Sequence, residues 1–344
     1  MNKQTNETTE VRTAQAIVVG AGPCGLSAAL ELQAIGIEPI LIEKHSVVHS
    51  IFQYPTYMHF FSTAELLEIG GIPFTSPNDK PSRREALQYY RDVALRRKLR
   101  IRAYEEAVTI TPLQDGSFLV VTADRFGAAR AYSAPYVIVA TGYFDHPNML
   151  GIPGEELPKV SHFFTEAHPY TGMKVAIVGG NNSAVDAAME LLRVGAEITV
   201  VYRGETYSPS IKPWVRPLFE SNVNKGNIKM LFSSRVVAID ETGITVQPSG
   251  EGASPYRLDN DFVLALTGFR PERTLLTDAG ALVDPETTVP AFDPATMETN
   301  VPGLFIAGVI AAGREANEIF IESGRHHGRL IAQRIRELRG QAEG

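Results

Sequence analysis

The residues with the clearest chemical potential form one short run, Gly20-Ala21-Gly22-Pro23-Cys24-Gly25, answered at the end of the next apolar stretch by Glu43. Glycines at this spacing let a chain turn tightly, bring its backbone close to a pyrophosphate, and pack a helix closely on a strand. The free N–H groups and positive dipole end of the following helix then face the phosphates. A carboxylate at position 43 is placed to accept a hydrogen bond from a ribose. The plainer alternative is a βαβ turn without a ligand; strand, glycines, helix, strand and acid in that order argue against it. Cys24, inside this run, is the chain's only cysteine. A second run, Gly179-Gly180-Asn181-Asn182-Ser183-Ala184, is followed by a stretch ending in Arg203 instead of an acid. A guanidinium suits a 2′-phosphate where a carboxylate suits a free 2′-hydroxyl. The first run therefore fits FAD or NAD, and the second fits NADP. Lys212 and Arg216 either assist there or are solvated surface charges. Asn181 takes the middle glycine's place, and asparagine tolerates positive φ better than other side chains, so the turn is expected to survive.

Elements must hold these runs in place. Ala16-Ile17-Val18-Val19 and Lys174 to Val178 read as buried strands, each running through glycines into a helically spaced segment. Residues 44–63 are dense in aromatics, histidines and hydroxyls, and read as a ligand-lining loop or as a surface excursion covering the core. Ser82 followed by Glu85 predicts a capped helix to Arg97. Strands are expected over 101–111 and 117–123, with Asp115-Gly116 as a hairpin turn. The apolar stretches ending at Gly142, Gly268 and Gly308 read as further strands, and a terminal helix is expected from about Phe320 to Leu338. Leu150 to Pro158, with two glycines and two prolines, has a connector's composition. The layout is α/β: two Rossmann-like dinucleotide-binding domains, the NADP domain inserted in the FAD domain. A flexible tail is expected over 1–13, the FAD domain over 14–148 and 270–344, and the NADPH domain over 149–269.

Composition narrows the function. The 344 residues suffice for two cores, and the net charge of −7 with no basic stripe argues against nucleic acid as main partner. The longest apolar runs fall short of a membrane span, and residues 1–13 lack the apolar core of a signal peptide. A single cysteine excludes an intrachain disulfide and a Cys-rich metal site, and suits the reducing cytoplasm. No metal, nucleic acid or membrane partner is expected. At a helix N-terminus Cys24 is expected to favour its thiolate, although a small soft residue there also reads as inert packing. His326 and His327 read as solvated surface histidines or as general acids.

Taken together, these residues resemble the thioredoxin-reductase-like flavoproteins over roughly residues 15–335, and within them the bacillithiol-disulfide reductase family. The matching stretches are Gly20 to Gly25, Glu43 to Ile51, Phe60 to Thr63, Gly179 to Asp186 and Phe305 to Gly313. The resemblance implies FAD, NADPH, a small-molecule disulfide as substrate, and Cys24 as the thiol that meets it. It also implies cofactor contacts from Pro23, Lys44, His49, Thr141, Gly142, Gly308 and Val309 beside the glycines, Glu43, Asn181, Asn182, Ser183 and Arg203. A homo-oligomer is expected. Two departures matter. No Cys-x-x-Cys is present, which excludes thioredoxin reductase itself, and Val309 stands where the wider group has a ribityl-binding Asp, so backbone around Gly308 and Val309 must do that work. Flavin monooxygenase and ferredoxin–NADP reductase are the enzymatic alternatives, and a flavin-bound redox sensor the non-enzymatic one.

Overall fold

Strand β1 (Val11–Thr13) and β2 (Ile17–Val19) lead into α1 (Pro23–Ala34), β3 (Ile40–Glu43) and the short α2 (His49–Gln53). Helix α3 (Arg83–Arg96) precedes β4 (Arg100–Ala103), β5 (Glu105–Pro112), β6 (Phe118–Asp124), β7 (Ala129–Ala134) and β8 (Val137–Val139). Next come β9 (Val160–Ser161), β10 (Lys174–Val178), α4 (Asn182–Arg193), β11 (Glu197–Val201) and α5 (Arg216–Asn224). They are followed by β12 (Ile228–Leu231), β13 (Ser234–Asp240), β14 (Gly243–Pro248), β15 (Tyr256–Asp259) and β16 (Phe262–Ala265). The chain closes with α6 (Thr274–Asp278), β17 (Leu304–Ile306), α7 (Ile321–Gly324) and α8 (His327–Ala342). The computed structural model describes residues 10–314 and 318–342. It divides into two compact units. One takes the described residues up to 52, 57–146 and from 269 on; the other takes 53–56 and 147–268.

The first unit is built on a parallel sheet in the order β17-β8-β2-β3-β4. Every residue of β2, β3, β8 and β17 is buried, as a parallel sheet covered on both faces requires, which explains their unbroken apolar runs. Helix α8 lies directly on α1. A Cβ on Gly328 would sit 2.7 Å from the Ala28 Cα, so the two backbones touch, and the Ser27 hydroxyl donates to the Arg325 carbonyl at 2.7 Å. A second sheet, β1-β7-β6-β5, flanks the first within this unit. Three expectations are corrected here. Val11–Thr13, placed in a tail, pairs in parallel with Ala131–Ser133, while residues 1–9 lie outside the described residues. The strand expected over 101–111 is two strands in different sheets, bent apart at Tyr104, whose φ is +60°. The terminal helix is interrupted at Arg325–His326. Helix α3, by contrast, starts on the capping box read from Ser82 and Glu85.

The second unit has its own parallel sheet, β12-β11-β10-β16-β9, and an antiparallel one, β13-β14-β15. Apolar side chains of both sheets meet in one core, with Ala176, Val178, Val201 and Val263 against Val236, Ile239, Ile244 and Val246. The connector is fixed by Glu155, whose carboxylate accepts the N–H groups of Leu150 and Gly151 at 2.6 and 2.7 Å. Among the described residues no helix is long and apolar enough to cross a membrane.

Candidate functional sites

In the first unit the expected residues converge at the carboxyl ends of β2, β3, β8 and β17, where open α/β sheets hold ligands. Gly20 has φ +106°, and a Cβ on it would lie 2.5 Å from the Ala140 carbonyl oxygen; a Cβ on Gly25 would collide with the Gly20 carbonyl. Those two glycines are demanded by the protein's own packing. Gly22 is different: it caps α1 at φ −73°, and no atom lies within 4 Å of where its Cβ would be. The missing side chain leaves open space, with Pro23 in the first turn behind it, as a pyrophosphate against the backbone requires. Glu43 is 8 % exposed, and its two oxygens accept the Ala21 and His45 N–H groups, each at 2.8 Å. The carboxylate thus ties the turn to the end of β3, and each oxygen keeps a lone pair for a ribose hydroxyl. Burial pushes its pKa up, against the pull of those two hydrogen bonds.

Lys44 pairs with Asp145 at 3.0 Å, drawing together the ends of β3 and of the segment after β8. His49 bonds Ser46 Oγ through Nδ1 at 3.2 Å, and its ring lies tilted against that of His45 with centroids 4.3 Å apart; burial, then His45, lowers its pKa. Thr141 is exposed, and Gly142 turns with φ +74°. Gly308, after β17, also turns left-handed at φ +79°. Val309 packs its side chain with Ala312, Tyr143 and Ile319. The residues present fit the dinucleotide expected for this turn.

Cys24 departs from expectation. A Cβ on Gly308 or on Gly324 would lie 2.8 Å from its Sγ, so the sulfur occupies the space those two glycines leave. The residue as a whole stays partly exposed, but that enclosure pushes the thiol pKa up to about 12. The thiolate expected from the helix N-terminus is therefore not the resting form; desolvation outweighs the dipole. His327 is a second correction. It is no solvated histidine: its Nδ1 accepts the Gly308 N–H at 3.1 Å, and burial, with His326 beside it, holds its pKa below the ordinary value. Sequence reasoning missed Arg273, a guanidinium only 8 % exposed that donates to the Ile310 carbonyl at 2.7 Å and to those of Thr288 and Ala312. An arginine just past the Gly268 turn was its only signal.

The second unit repeats the arrangement. Gly179 has φ +140°, and a Cβ there would collide with the Leu266 carbonyl, as one on Gly20 would with that of Ala140. Asn181 caps α4 at φ −97° and ψ −170°, an extended conformation open to any residue. The turn survives without the positive φ anticipated for that position, just as Gly22 does not use one. Asn182 pins the loop ahead of α5, donating to the Ser210 carbonyl and accepting the Lys212 N–H, each at 2.9 Å. Lys212 Nζ meets Asp186 at 2.6 Å, so it is neither a solvated charge nor directed at a phosphate. Arg216 is engaged by Glu220 at 2.6 Å. Arg203 is exposed just past β11 and makes no ion pair among the described residues, and Ser183 is exposed beside the turn. The Tyr202 ring covers Gly180 and Gly204, where any Cβ would strike it. That wall was not read from the sequence, although two glycines around an aromatic strand end were its trace.

Known proteins are similar to this chain. The family described as Pyridine nucleotide-disulphide oxidoreductase matches residues 17–308. The chain is 51% identical to Bacilliredoxin reductase Bdr of Bacillus subtilis (strain 168), over 93% of this chain and 97% of that one. Its structure superposes on the Bacillithiol Disulfide Reductase Bdr (YpdA) from Bacillus cereus with a TM-score of 0.92 and 48% identity, covering 95% and 100% of the two chains. Thioredoxin reductase from T. acidophilum, at 22% identity, TM-score 0.75 and 95% and 99% coverage, shares the fold.

Proposed function

The chain belongs to the pyridine nucleotide-disulphide oxidoreductase family, and from that premise we propose that it is an NADPH-dependent flavoprotein reducing bacillithiol disulfide, the disulfide of a low-molecular-weight thiol. The observation that carries this reading is the pair of glycine turns whose following strands lead into opposite charge, Glu43 in one unit and, in the other, Arg203, which makes no ion pair among the described residues. FAD belongs to the first, with Gly20, Gly22, Pro23, Gly25, Glu43, Lys44, His49, Thr141, Gly142, Gly308 and Val309 around it. NADPH belongs to the second, with Gly179, Asn181, Asn182 and Ser183 at its pyrophosphate and Arg203 at its 2′-phosphate. Bound FAD supplies the two-electron carrier between NADPH and the disulfide. The balance is NADPH, one proton and one disulfide giving NADP⁺ and two thiols.

The chain's own residues fix positions. Glu43 holds the first turn closed through the Ala21 N–H while offering its outer lone pairs to a ribose. With a single cysteine, no internal dithiol relays electrons to a protein partner, which favours a small disulfide. Cys24 is the thiol assigned to that disulfide. For such an attack its Sγ must leave the space between Gly308 and Gly324 and lose its proton. A Cys24→Ala variant that keeps NADPH-dependent flavin reduction and loses disulfide turnover supports the assignment; undiminished disulfide turnover removes it. The overall reading is tested by anaerobic reduction of the FAD-loaded protein with NADPH or NADH, then reoxidation with bacillithiol or glutathione disulfide. Preference for NADPH and for bacillithiol disulfide is expected. Reoxidation by oxygen with substrate hydroxylation, or only by an iron–sulfur protein, overturns it. A cytoplasmic homo-oligomer is part of the same reading, the former supported by cysteine usage, the latter measured by light scattering on the eluting protein.

A further inference from the structure

Gly308 is the point where the first site's sheet hands over to the segment carrying Val309. Its left-handed turn has no side chain of its own to hold it. Three neighbours hold it instead: Cys24 Sγ packs on one side, Gly324 approaches so closely that a Cβ there would lie 3.0 Å from the Gly308 Cα, and His327 Nδ1 accepts its N–H at 3.1 Å. Two of these are contacts by size alone. The third is directional, and a buried N–H without an acceptor is costly. For Nδ1 to accept, the ring proton must sit on Nε2, the tautomer this hydrogen bond selects. A few residues on, Arg273 grips the Ile310 and Ala312 carbonyls, so the segment 308–312 is held by one side chain at its first N–H and by another at its later carbonyls. Between them Val309 turns its side chain into an apolar cluster with Ala312, Tyr143 and Ile319.

We propose that His327 is a positioning residue for the FAD site, its Nδ1 lone pair fixing the Gly308 turn whose backbone the flavin cofactor meets. The inference rests on the assignment of FAD to the first unit. A catalytic proton donor is a different role: that loss shows in turnover and leaves cofactor affinity unchanged. Loss of the anchor shows in cofactor affinity before any reaction occurs.

The test is FAD binding to apoprotein, followed by quenching of flavin fluorescence, for the wild type and His327→Ala, His327→Asn and His327→Gln. An asparagine Oδ1 lies about where Nδ1 lies, whereas a glutamine carries its oxygen one bond further out. His327→Ala and His327→Gln are expected to weaken FAD binding about tenfold, the value of one such hydrogen bond. His327→Asn is expected to stay within about threefold of wild type. If the alanine variant fails to fold, the contrast between Asn and Gln still decides. Equal affinity in wild type, Ala and Gln, or equal weakness in Asn and Gln, overturns the inference while leaving FAD in its site. A wild-type protein that binds no FAD overturns the underlying reading, and the inference with it.

Discussion

The enclosure of Cys24 has a chemical cost that can be worked out and measured. At pH 7 a thiol with a pKa of about 12 is ionised to roughly one part in 10⁵. A free cysteine, with a pKa near 8.5, is ionised to about three parts in a hundred, so the thiolate is ~3,000-fold scarcer here. The more basic thiolate is intrinsically more nucleophilic, which returns a factor of about 40 for a Brønsted slope near 0.45. A net deficit of about a hundredfold remains, before the steric effect of Gly308 and Gly324 against the sulfur is counted. Because the chain has one cysteine, alkylation by iodoacetamide read by mass spectrometry reports this thiol alone. The folded protein should react at least about a hundredfold more slowly than the same chain in denaturant at pH 7. Its rate should climb with pH well beyond 9 without levelling. A plateau near pH 8.5, or a rate within a few-fold of the denatured chain, refutes the argument. Stability follows the same sign. The folded pKa lies above the unfolded one, so this stabilisation is complete below about pH 8.5 and is lost toward pH 12, by about 1.4 kcal/mol per pH unit. Cys24→Ala should lack that slope in urea titrations.

Other substitutions probe the frame around it. Gly25→Ala drives a Cβ into the Gly20 carbonyl, which is backbone and cannot swing aside; a loss of about 1–3 kcal/mol in urea unfolding is expected, together with loss of FAD binding. Arg203→Gln should lower kcat/KM for NADPH about tenfold or more while leaving NADH unchanged, and an equal effect on both removes Arg203 from the 2′-phosphate. Arg273→Met leaves the Thr288, Ile310 and Ala312 carbonyls without their donor, and chemical denaturation should show a loss of about 3 kcal/mol. Unchanged stability would mean that water or neighbouring donors satisfy those carbonyls.

The parts of the fold that announce themselves in the sequence are those whose causes are local. Glycine spacing sets the turns after β2 and β10, the carboxylate at the end of β3 lies one helix away from its turn, and the Ser82–Glu85 cap closes on itself. What escaped the sequence depends on chain that returns from far away. Nothing near Cys24 says that Gly308 and Gly324 will close on its sulfur, and nothing near His327 says that a glycine N–H will reach its ring. Asn181 shows a subtler limit. The residue type was compatible with positive φ, but the turn puts that demand on Gly179 instead. Val11–Thr13 read as tail because a three-residue edge strand has no periodicity to detect.

The order in which the sheet of the first unit is assembled has a consequence for the chain as it is made. Strand β17 lies at the edge of that sheet beside β8, and α8 covers α1, yet the whole of residues 147–268 is synthesised between them. As the chain emerges from the ribosome, the second unit has all its strands and helices in hand while the first still lacks an edge strand and a covering helix. The nascent flavoprotein therefore completes the site it makes second before the one it makes first. Until residues 304–342 arrive, the α1 surface that holds Cys24 has no glycines closed over it, and the thiol is open to oxidants and electrophiles. In the finished protein at rest Gly308 and Gly324 close over that sulfur, so outside turnover chemical damage at this cysteine should be a hazard of synthesis.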